Sequence, residues 1–451
     1  MTNSKLTRRQ TLALLGGAFA VRSQTRSQPN VIFIMADDLG YGDLGCYGQK
    51  TLKTPNIDRL ATEGIKCTAA YSGATVCAPS RCTLMTGMHQ GHATVRGNRN
   101  PEVPLQPDDV TVAEVMKSAG YRTAMYGKWG VGGPVPLGRP NAQGFDDFFG
   151  YLSQWHAHEH FPGHLWENEI ERFIGANRTG GRGVFAHNLF TSKALEFLDN
   201  HHDKPFFLYL PYAVPHTNNE LGRRTGDGME VPSYLSYADR DWPNPEKGFA
   251  AQVEYLDRDV GRILDKLKEL GIDDNTIIFF TSDNGPHEEG GHRATFFESG
   301  GPLRGHKRDL YEGGIRVPML ARWPGQIKPG TTSDEPWAFW DVLATCADLA
   351  GVPAPETDGI SMVPSLTGGE QKSHEYLYWE FHERRFAQAV RRGKWKGVRL
   401  NPGEPIELFN LDKDIGEKND IASSHPDVVK RIDRIMSEAR TESTYFPTPN
   451  A

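Results

Sequence analysis

The sequence predicts an α/β protein with a mostly parallel sheet between layers of helices, followed by a smaller C-terminal subdomain of antiparallel strands and a helix. Two observations predict the larger part: short continuous apolar runs end abruptly in polar residues, and segments with helical periodicity lie between them. Such runs are typical of parallel strands that are buried on both faces. A change of pattern after Gly351 predicts the smaller part.

Four apolar runs form the expected sheet, and each leads to polar residues. They are VIFIM (31–35) before Asp37 and Asp38, RTAMY (122–126) before Lys128, FFLYL (206–210) before His216, and TIIFFTS (276–282) before Asp283 and Asn284. In open α/β sheets, ligands bind beyond the carboxyl ends of the strands. We therefore expect these polar side chains to form one site.

The segments between the runs have helical periodicity. In residues 249–270 apolar side chains recur at steps of three and four, and Gly271 follows as a stop signal. Residues 107–120 repeat this arrangement, with Asp108 or Asp109 as the expected N-cap. Both helices directly precede a strand run, as the crossover connections of a parallel sheet require.

Two long stretches, 130–185 and 217–247, have no clear periodicity and are rich in Gly, Pro, His and Trp. Loops of this length in a compact domain are usually functional. Three tryptophans in or beside the first stretch are candidates for stacking on a ring of a ligand, with burial in the core as the alternative for each. They are Trp129, Trp155 and Trp166.

The chain divides into three parts. Residues 1–28 are expected to be an export signal and linker, 29–370 a catalytic domain, and 371–451 an α+β subdomain. Three short segments of the last part have the pattern of antiparallel strands, and a helix is expected from Pro426 to about Ala439. The three segments are EYLYWEF (375–381), RFAQAVRRGKWKGVRL (385–400) and IELFNLD (406–412).

The N-terminus has the pattern of a bacterial export signal. A basic segment with Arg8 and Arg9 precedes an apolar run from Thr11 to Ala20 that ends in a small-x-small triplet. The paired arginines favour the twin-arginine route and a periplasmic or extracellular location; the alternative is a basic tail before a buried helix. No segment has a run of apolar residues close to the length of about 20 that a membrane-spanning helix requires.

Composition limits the possible partners and cross-links. The 451 residues carry a formal net charge of −7, which argues against nucleic-acid binding, so that any anion site has to be built locally. Five cysteines are too few for a disulfide framework in an exported protein of this size. A Cys67–Cys82 or Cys46–Cys346 bridge stays open.

The polar residues after two of the strands suit a divalent cation. Asp37, Asp38, Asp283 and Asn284 offer hard oxygen donors, which favour Ca²⁺, and secondarily Mg²⁺, over zinc. Each pair alone is typical of a helix cap or a turn. Their shared position after apolar strands favours a metal site, because clustered carboxylates repel one another unless a cation intervenes.

Cationic residues at other positions predict an anion site beside the metal. Arg81 lies one turn after Cys77 if Pro79 begins a helix. Lys128, Lys307 and His216 come from other segments. Each of these is more often an ordinary surface group when taken alone. Together with a helix N-terminus and a metal they would bind and polarise an anion.

At this point the sequence resembles a known family. CAPSR (77–81) followed by LMTG (84–87) is similar to the signature of the type I sulfatases, in the alkaline-phosphatase-like superfamily. The resemblance runs from about Pro29 to Ala422. It is carried by NVIFIMADDLGYGDLGCYG (30–48), TPNIDRLATEGIKCTAAYSGATVCAPSR (54–81), YGKWG (126–130), VPH (214–216), FTSDNGPH (280–287), LRGHKRDLYEGGIRVP (303–318) and ELFNLDKDIGEKNDIA (407–422).

The resemblance implies that Cys77 is oxidised to formylglycine (3-oxoalanine) by a formylglycine-generating enzyme. The hydrated aldehyde would supply one hydroxyl that attacks sulfur and a second that allows the sulfate to be expelled. The Ca²⁺ ligands would be Asp37, Asp38, Asp283, Asn284 and the modified Cys77 side chain. Arg81 would hold the formylglycine hydroxyls, Lys128 and Lys307 the sulfate oxygens, and His216 the sulfate or the leaving oxygen as a general acid.

One position departs from the family pattern. Gly130 stands where many members have a histidine that is assigned as the base for the nucleophile. His158, and after it His156, are the expected replacements, while the alternative is that both histidines line a substrate loop. His287 and His292 flank the metal pair in the sequence and are expected to contact substrate at the entrance.

The favoured function is therefore an exported sulfuric ester hydrolase that acts on a sulfated small molecule or oligosaccharide, with sulfated polysaccharide degradation as the expected role. One alternative is a phosphodiesterase or phosphonate monoester hydrolase of the same superfamily. Another is a catalytically impaired protein that binds sulfated glycans. Gly130 favours this second alternative, whereas Cys77, Arg81 and the two lysines oppose it.

Overall fold

The computed structural model describes residues 28–448, and the expected export signal lies outside them except for Gln28. The strands are β1 (Asn30–Ala36), β2 (Ile65–Cys67), β3 (Ala70–Tyr71), β4 (Arg122–Lys128), β5 (Asp147–Tyr151), β6 (His164–Glu167), β7 (Ile170–Phe173), β8 (Phe206–Pro211), β9 (Thr276–Ser282), β10 (Met319–Arg322), β11 (Thr331–Ser333), β12 (Trp337–Ala338), β13 (Leu377–Phe381), β14 (Ala387–Arg392), β15 (Trp395–Arg399) and β16 (Glu407–Asn410). The α-helices are α1 (Pro55–Thr62), α2 (Cys77–Thr86), α3 (Val112–Ser118), α4 (Ala186–His201), α5 (Asn219–Thr225), α6 (Asn244–Glu269), α7 (Glu312–Ile315), α8 (Asp341–Ala350), α9 (Val363–Thr367) and α10 (Pro426–Glu438).

A ten-stranded sheet in the order β11-β2-β10-β9-β1-β8-β4-β5-β6-β7 forms the centre of the molecule. Its middle strands, β9, β1, β8, β4 and β5, are all parallel. Because β1 pairs with β8 on one side and β9 on the other, the carboxyl ends of these strands meet at one edge. The predicted mostly parallel sheet is confirmed.

Helices cover both faces of this sheet, and β1 shows why. Alternate side chains of a strand point to opposite faces. Val31, Phe33 and Met35 pack with α2, α3 and α8, whereas Ile32 and Ile34 pack with α1, α4 and α6. Every residue of β1 is buried, as the continuous apolar run predicts.

The two predicted crossover helices are present, but one starts differently. Helix α6 spans 26 residues, and Gly271 after it has φ +68°, as a stop signal requires. The expected N-cap of α3 at Asp108 or Asp109 is wrong. Thr111 caps this helix instead, because its side chain accepts from the Glu114 backbone N–H while the Glu114 carboxylate accepts from the Thr111 N–H.

The two stretches predicted as loops contain regular structure. Strands β5, β6 and β7 lie within 130–185 and extend the sheet at one edge, and α5 lies within 217–247. Strands β6 and β7 have four residues each, and all four side chains of β7 are exposed. Such short edge strands carry almost no periodic signal. Loops still connect these elements.

The C-terminal part is a four-stranded antiparallel sheet, β13-β14-β15-β16, with α10 on one face. Its other face packs through Trp379, Ala389 and Phe409 against Tyr71 and Trp340 of the larger part. The predicted antiparallel strands and terminal helix are confirmed, and the boundary near residue 371 stays a prediction. Among residues 28–448, no helix is both long and apolar enough to cross a bilayer.

All five cysteines are free thiols in the structure. Neither the Cys67–Cys82 nor the Cys46–Cys346 bridge is formed. Cys67, Cys82 and Cys346 instead lie in the apolar core beside the sheet. Packing, rather than cross-links, therefore stabilises the described part of the chain.

A fully buried charge cluster joins the C-terminal sheet to the larger part. Lys396 of β15 lies 2.9 Å from Glu312 Oε1 and 3.4 Å from Glu417 Oε1, and none of the three side chains is exposed. Tyr71 donates to Glu312 Oε2 at 2.6 Å. Burial raises the pKa of Glu417 to about 7, whereas Lys396 and Arg316 overcome burial and lower that of Glu312 to about 2.

We predict that Lys396→Met lowers the free energy of unfolding by about 3–5 kcal/mol, because it leaves the buried Glu417 carboxylate without a cation and Glu312 with Arg316 as its remaining ion-pair partner. The measurement is urea unfolding followed by tryptophan fluorescence. Lys413→Met is the matched control, since Lys413 is exposed. Equal unfolding midpoints for the two variants would contradict a stabilising role for the cluster.

Candidate active site

The carboxyl edge of the sheet brings the predicted acidic residues together. Asp37 and Asp38 follow β1, and Asp283 and Asn284 follow β9, the strand paired with β1. All four side chains are buried. Asp38 has φ +69°, and its backbone N–H donates to Asp283 Oδ1 at 3.1 Å. This left-handed conformation is rare for residues other than Gly, Asn and Asp, and the hydrogen bond compensates for part of its strain.

Cys77 begins α2 and faces these carboxylates. Its Sγ lies 3.3 Å from Asp37 Oδ1 and 4.0 Å from Asp38 Oδ1. Burial, together with Asp283 and Asp37, raises the pKa of the thiol well above its usual range. An unmodified Cys77 would therefore stay protonated and would be a poor nucleophile.

Arg81 lies one turn along α2, as predicted, and is completely buried. Its guanidinium donates to Asp283 Oδ2 from Nη2 at 2.7 Å and from Nε at 3.1 Å, and Nη1 donates to the Lys128 carbonyl at 2.6 Å. Asp37 Oδ2 lies 3.4 Å from Nη2. The arginine thus links the ends of three strands and has one fixed orientation.

The two predicted lysines each pair with one aspartate of the site. Lys128 Nζ lies 2.6 Å from Asp37 Oδ2, and Lys307 Nζ lies 2.7 Å from Asp38 Oδ2. Burial disfavours both ammonium groups, but the nearby carboxylates raise their pKa above the usual value, so that both are charged. His216 Nε2 lies 3.2 Å from Lys307 Nζ.

His216 occupies the predicted site in its neutral form. Burial, together with Lys307 and Lys128, lowers its pKa well below the usual range. Nδ1 lies 2.6 Å from the Thr217 carbonyl, so Nδ1 carries the proton and Nε2 accepts from Lys307. A neutral imidazole with this tautomer accepts a proton at Nε2, which does not fit the expected general acid.

The acidic residues fit a divalent cation. One donor atom from each of Asp37, Asp38, Cys77 and His216 lies within 4.8 Å of the others. Asn284 Oδ1 is buried and has no hydrogen-bond partner among the described residues. Burial and the neighbouring Asp37 raise the pKa of Asp283 to about 7. A buried amide oxygen without a partner among the described residues and a carboxylate disfavoured as an anion are both suited to bind a divalent cation.

A cavity of about 470 Å³ opens above this cluster. Cys77, Lys307, His216 and His158 line it, whereas Arg81 and Lys128 are buried beneath it. Arg308 lies beside Lys307 on the wall, where it pairs with Glu289 at 2.8 Å. The helix start and the cations thus converge at the floor of one cavity.

His158 is brought to the cavity as predicted. It stacks on His216 with ring centroids 5.0 Å apart, and its Nδ1 lies 3.0 Å from Glu220 Oε2. Burial and Lys128 lower its pKa, so the ring is neutral near pH 7. Nδ1–H donates to the carboxylate, which leaves Nε2 free to accept a proton. An imidazole oriented by a carboxylate is a suitable general base.

Gly130 lines the same cavity in a conformation that favours glycine. Its φ is +70°, and a Cβ atom at this position would lie 2.3 Å from Gln154 Nε2. That amide donates to the Gly130 carbonyl at 3.0 Å. Gln154 therefore occupies the space into which a side chain at 130 would extend.

Three of the other histidines do not line the substrate cavity, where the sequence predicts them. His156 packs on Tyr151 and His164, away from the cavity. His287 is fully buried, with Nε2 3.2 Å from the Pro215 carbonyl, and burial lowers its pKa to about 4. His292 is stacked on Phe249 and lies 2.6 Å from Glu246 Oε2. The expected substrate contacts of these three residues are wrong for this geometry.

The structure adds cavity residues that the sequence did not indicate. Glu102 Oε2 and Glu383 Oε1 are buried acceptors without a partner among the described residues, and both side chains line the cavity. Trp155, 48% exposed, also lines it, whereas Trp129 is buried and Trp166 is half-buried. Glu102 and Glu383 lie in irregular segments far apart in the chain, so no local spacing connects them with the site.

Three buried carboxylates and three cations lie at or beneath the floor of one cavity, next to a side chain at a helix start, and this arrangement is typical of hydrolases for esters of a tetrahedral oxyanion. Comparison with known proteins specifies the class. A family model described as Sulfatase matches residues 29–352, and one described as N-sulphoglucosamine sulphohydrolase, C-terminal, matches 305–442. The chain belongs to the sulfatase family, whose members are sulfuric ester hydrolases.

Individual relatives cover nearly the whole chain. The N-acetylgalactosamine-6-O-sulfatase of Bacteroides thetaiotaomicron is 30% identical over 93% of this chain and 94% of its own length. Human arylsulfatase A is 32% identical over 94% of this chain and 89% of its own. A crystal structure of Ps i-CgsB in complex with k-i-k-neocarrahexaose has a TM-score of 0.80 and 28% identity, with 94% of this chain and 96% of that chain covered. The alkaline-phosphatase-like fold is confirmed.

We predict that His158→Ala lowers kcat for sulfate ester hydrolysis by about 10²–10⁴-fold, with a much smaller change in KM, because it removes the oriented base. His156→Ala is the matched control and should change kcat by less than about threefold, since its ring lies outside the cavity. Steady-state kinetics on one sulfate ester measures both. Similar losses in the two variants would contradict the assignment of His158.

Proposed function

We propose that this protein hydrolyses the sulfate ester of a sulfated carbohydrate, with formylglycine derived from Cys77 as nucleophile and Ca²⁺ bound at the strand ends. The observation that carries the proposal is the position of Cys77 at a helix N-terminus, 3.3 Å from Asp37, on the floor of a cavity that Lys307 also lines. Family membership supports the same chemistry.

Charge at the cavity floor supports an anionic substrate. Asp37, Asp38 and Asp283 are balanced by Arg81, Lys128 and Lys307. With a divalent cation added, the site carries a net positive charge in a buried environment. The attraction between this positive charge and a bound anion is strong, because little water is present to screen the charges.

Three features of the cavity wall support a sugar as the alcohol part. Glu102 Oε2 and Glu383 Oε1 are acceptors without partners, and sugar hydroxyls are donors that would satisfy them. The exposed indole of Trp155 offers an apolar face for a ring. A relative is named for N-acetylgalactosamine-6-O-sulfatase activity, and the structure of another contains neocarrahexaose.

The metal ligands and residue 77 have different roles in the proposed reaction. Ca²⁺, held by Asp37, Asp38, Asp283 and Asn284, would act as a Lewis acid for oxygens at the reacting centre. Formylglycine at 77 would supply, as its hydrate, one hydroxyl that attacks sulfur, while the S–O bond to the substrate alcohol breaks and the alcohol leaves. Deprotonation of the second hydroxyl would then re-form the aldehyde and break the bond between residue 77 and sulfate.

The remaining groups bind the substrate and move protons. Arg81, fixed by Asp283, orients the oxygens of residue 77, and Lys128 and Lys307 bind sulfate oxygens. His158 Nε2 accepts the proton of the nucleophile, with Glu220 as its orienting partner. We assign His216 to the sulfate or the leaving oxygen, in contact with Lys307.

We propose further that the protein is exported to the periplasm or beyond, with residues 1–28 as signal and linker. Support comes from Arg8, Arg9 and the apolar run up to Ala20. A formylglycine-generating enzyme is then the partner during maturation. Degradation of sulfated polysaccharides outside the cytoplasm is a role that is consistent with all of these proposals.

We predict that purified protein hydrolyses 4-nitrophenyl sulfate faster than 4-nitrophenyl phosphate or phenylphosphonate esters. Cys77→Ser should lose sulfate turnover by about 10³-fold or more, because the second hydroxyl is missing. Cys46→Ser is the matched control, as Cys46 is a free thiol outside the cavity. Mass analysis of the peptide with Cys77 should show formylglycine, and that of the N-terminus a start near Val21.

Three results would overturn this proposal. Dominant turnover of the phosphorus esters would favour a phosphodiesterase or phosphonate monoester hydrolase. An unmodified Cys77 thiol in fully active protein would exclude the formylglycine nucleophile. Binding of sulfated glycans without turnover by correctly modified protein would instead favour a binding protein.

We predict that Ca²⁺ raises the thermal midpoint of chelator-treated protein and that Mg²⁺ raises it less. Binding to the folded state at 100 times Kd adds about 2.7 kcal/mol of stability. Asp283→Asn should abolish the increase, and Asp265→Asn should retain it, because Asp265 is exposed on α6. Differential scanning calorimetry measures the shift, and an equal response of both variants would exclude the proposed ligands.

A further inference from the structure

A second cavity of about 900 Å³ adjoins the active-site cavity. The two share one lining residue, Trp155, whose side chain is 48% exposed. They also meet at the pair His158 and Glu220, since His158 lines the first and Glu220 the second, with 3.0 Å between Nδ1 and Oε2. A ligand that extends out of the first cavity over the indole would enter the second.

The wall of the second cavity contains aromatic rings that are exposed to solvent. Phe173 of β7 is 72% exposed, and Phe161 forms another part of the wall. Of the four aromatic side chains that are strongly exposed in residues 28–448, two face this cavity, Phe173 and Trp155. Large exposed rings at a concave surface mark a binding site more often than isolated ones do.

The polar groups of this cavity are only partly paired. Arg182 pairs with Glu230, and Glu220 pairs with His158. Among the described residues, Arg178 and Arg224 have no carboxylate within ion-pair distance, and Glu159 has no lysine or arginine within that distance. The wall therefore offers free donors and one free acceptor between aromatic faces. A purely apolar ligand would leave these groups without water or partners, whereas a saccharide, with apolar ring faces and polar edges, fits both.

We propose that the second cavity is a subsite for a further saccharide unit, covalently linked to the sulfated sugar in the active-site cavity. The next ring stacks on Trp155 and Phe173, and its hydroxyls or anionic groups contact Arg178, Arg224 and Glu159. The enzyme thus acts on sulfated residues within oligosaccharides in preference to free sulfated monosaccharides. This inference rests on the proposed function for its substrate class.

The test compares ligands of two lengths. For the protein with formylglycine, kcat/KM should be at least about tenfold higher for neocarrahexaose or a chondroitin 6-sulfate hexasaccharide than for galactose 4-sulfate or N-acetylgalactosamine 6-sulfate. Phe173→Ala should reduce this preference by about threefold to tenfold, chiefly through KM. Phe296→Ala is the matched control, because Phe296 is an exposed ring that lines neither cavity.

Binding separates this inference from the proposed reaction. Titration calorimetry with Cys77→Ser protein measures affinity for the same hexasaccharides and monosaccharides without turnover. Tighter hexasaccharide binding that Phe173→Ala weakens would support the subsite even if no sulfate ester were hydrolysed. Efficient hydrolysis with equal kcat/KM for both lengths, or a preference that Phe173→Ala leaves intact, would overturn it.

Discussion

The site depends on the balance of buried charge at the carboxyl edge of the sheet. Three aspartates and three cations, all almost without solvent exposure, neutralise one another there. Isolated buried charges are strongly disfavoured, so each of these groups requires the others. The parallel strands β1, β9 and β4 are the framework that makes the arrangement possible, because their ends meet at one edge. The fold and the chemistry are therefore constrained together.

Much of this arrangement could be predicted from local sequence. The strands of the sheet centre are continuous apolar runs, and Asp37, Lys128 and Asp283 follow them directly, so chain order and strand pairing were sufficient to bring them together. The resemblance also pointed to His158, which lines the cavity, and its role as proton acceptor stays a prediction. The electrostatic state of His216 is not predictable from local sequence, since its lowered pKa arises from burial and from Lys307, 91 residues away.

Other features of the structure could not be predicted from the sequence, and each has a physical reason. Strands β6 and β7 are too short for a periodic signal, and their stability comes from pairing at the sheet edge. His287 lies near Asp38 in space, within 4.8 Å of a carboxylate oxygen, but its ring is fully buried and its Nε2 contacts the Pro215 carbonyl, whereas His292 stacks on Phe249. Proximity in sequence does not specify the direction in which a side chain points.

The cavity wall includes residues from segments far apart in the chain. Glu102 and Glu383 enter the cavity from distant segments, and His382 and Glu383 belong to the C-terminal subdomain. This subdomain thus completes the wall of the substrate cavity.

The left-handed Gly130 and its partner Gln154 also limit how this chain can change over evolutionary time. A histidine at 130 would have to displace the Gln154 amide, break the bond that the amide donates to the Gly130 carbonyl, and adopt φ +70°. The effect of a substitution at 130 therefore depends on which residue occupies 154. Positions 130 and 154, 24 residues apart in sequence, therefore constrain each other, and a side chain at 130 would require a simultaneous change at 154.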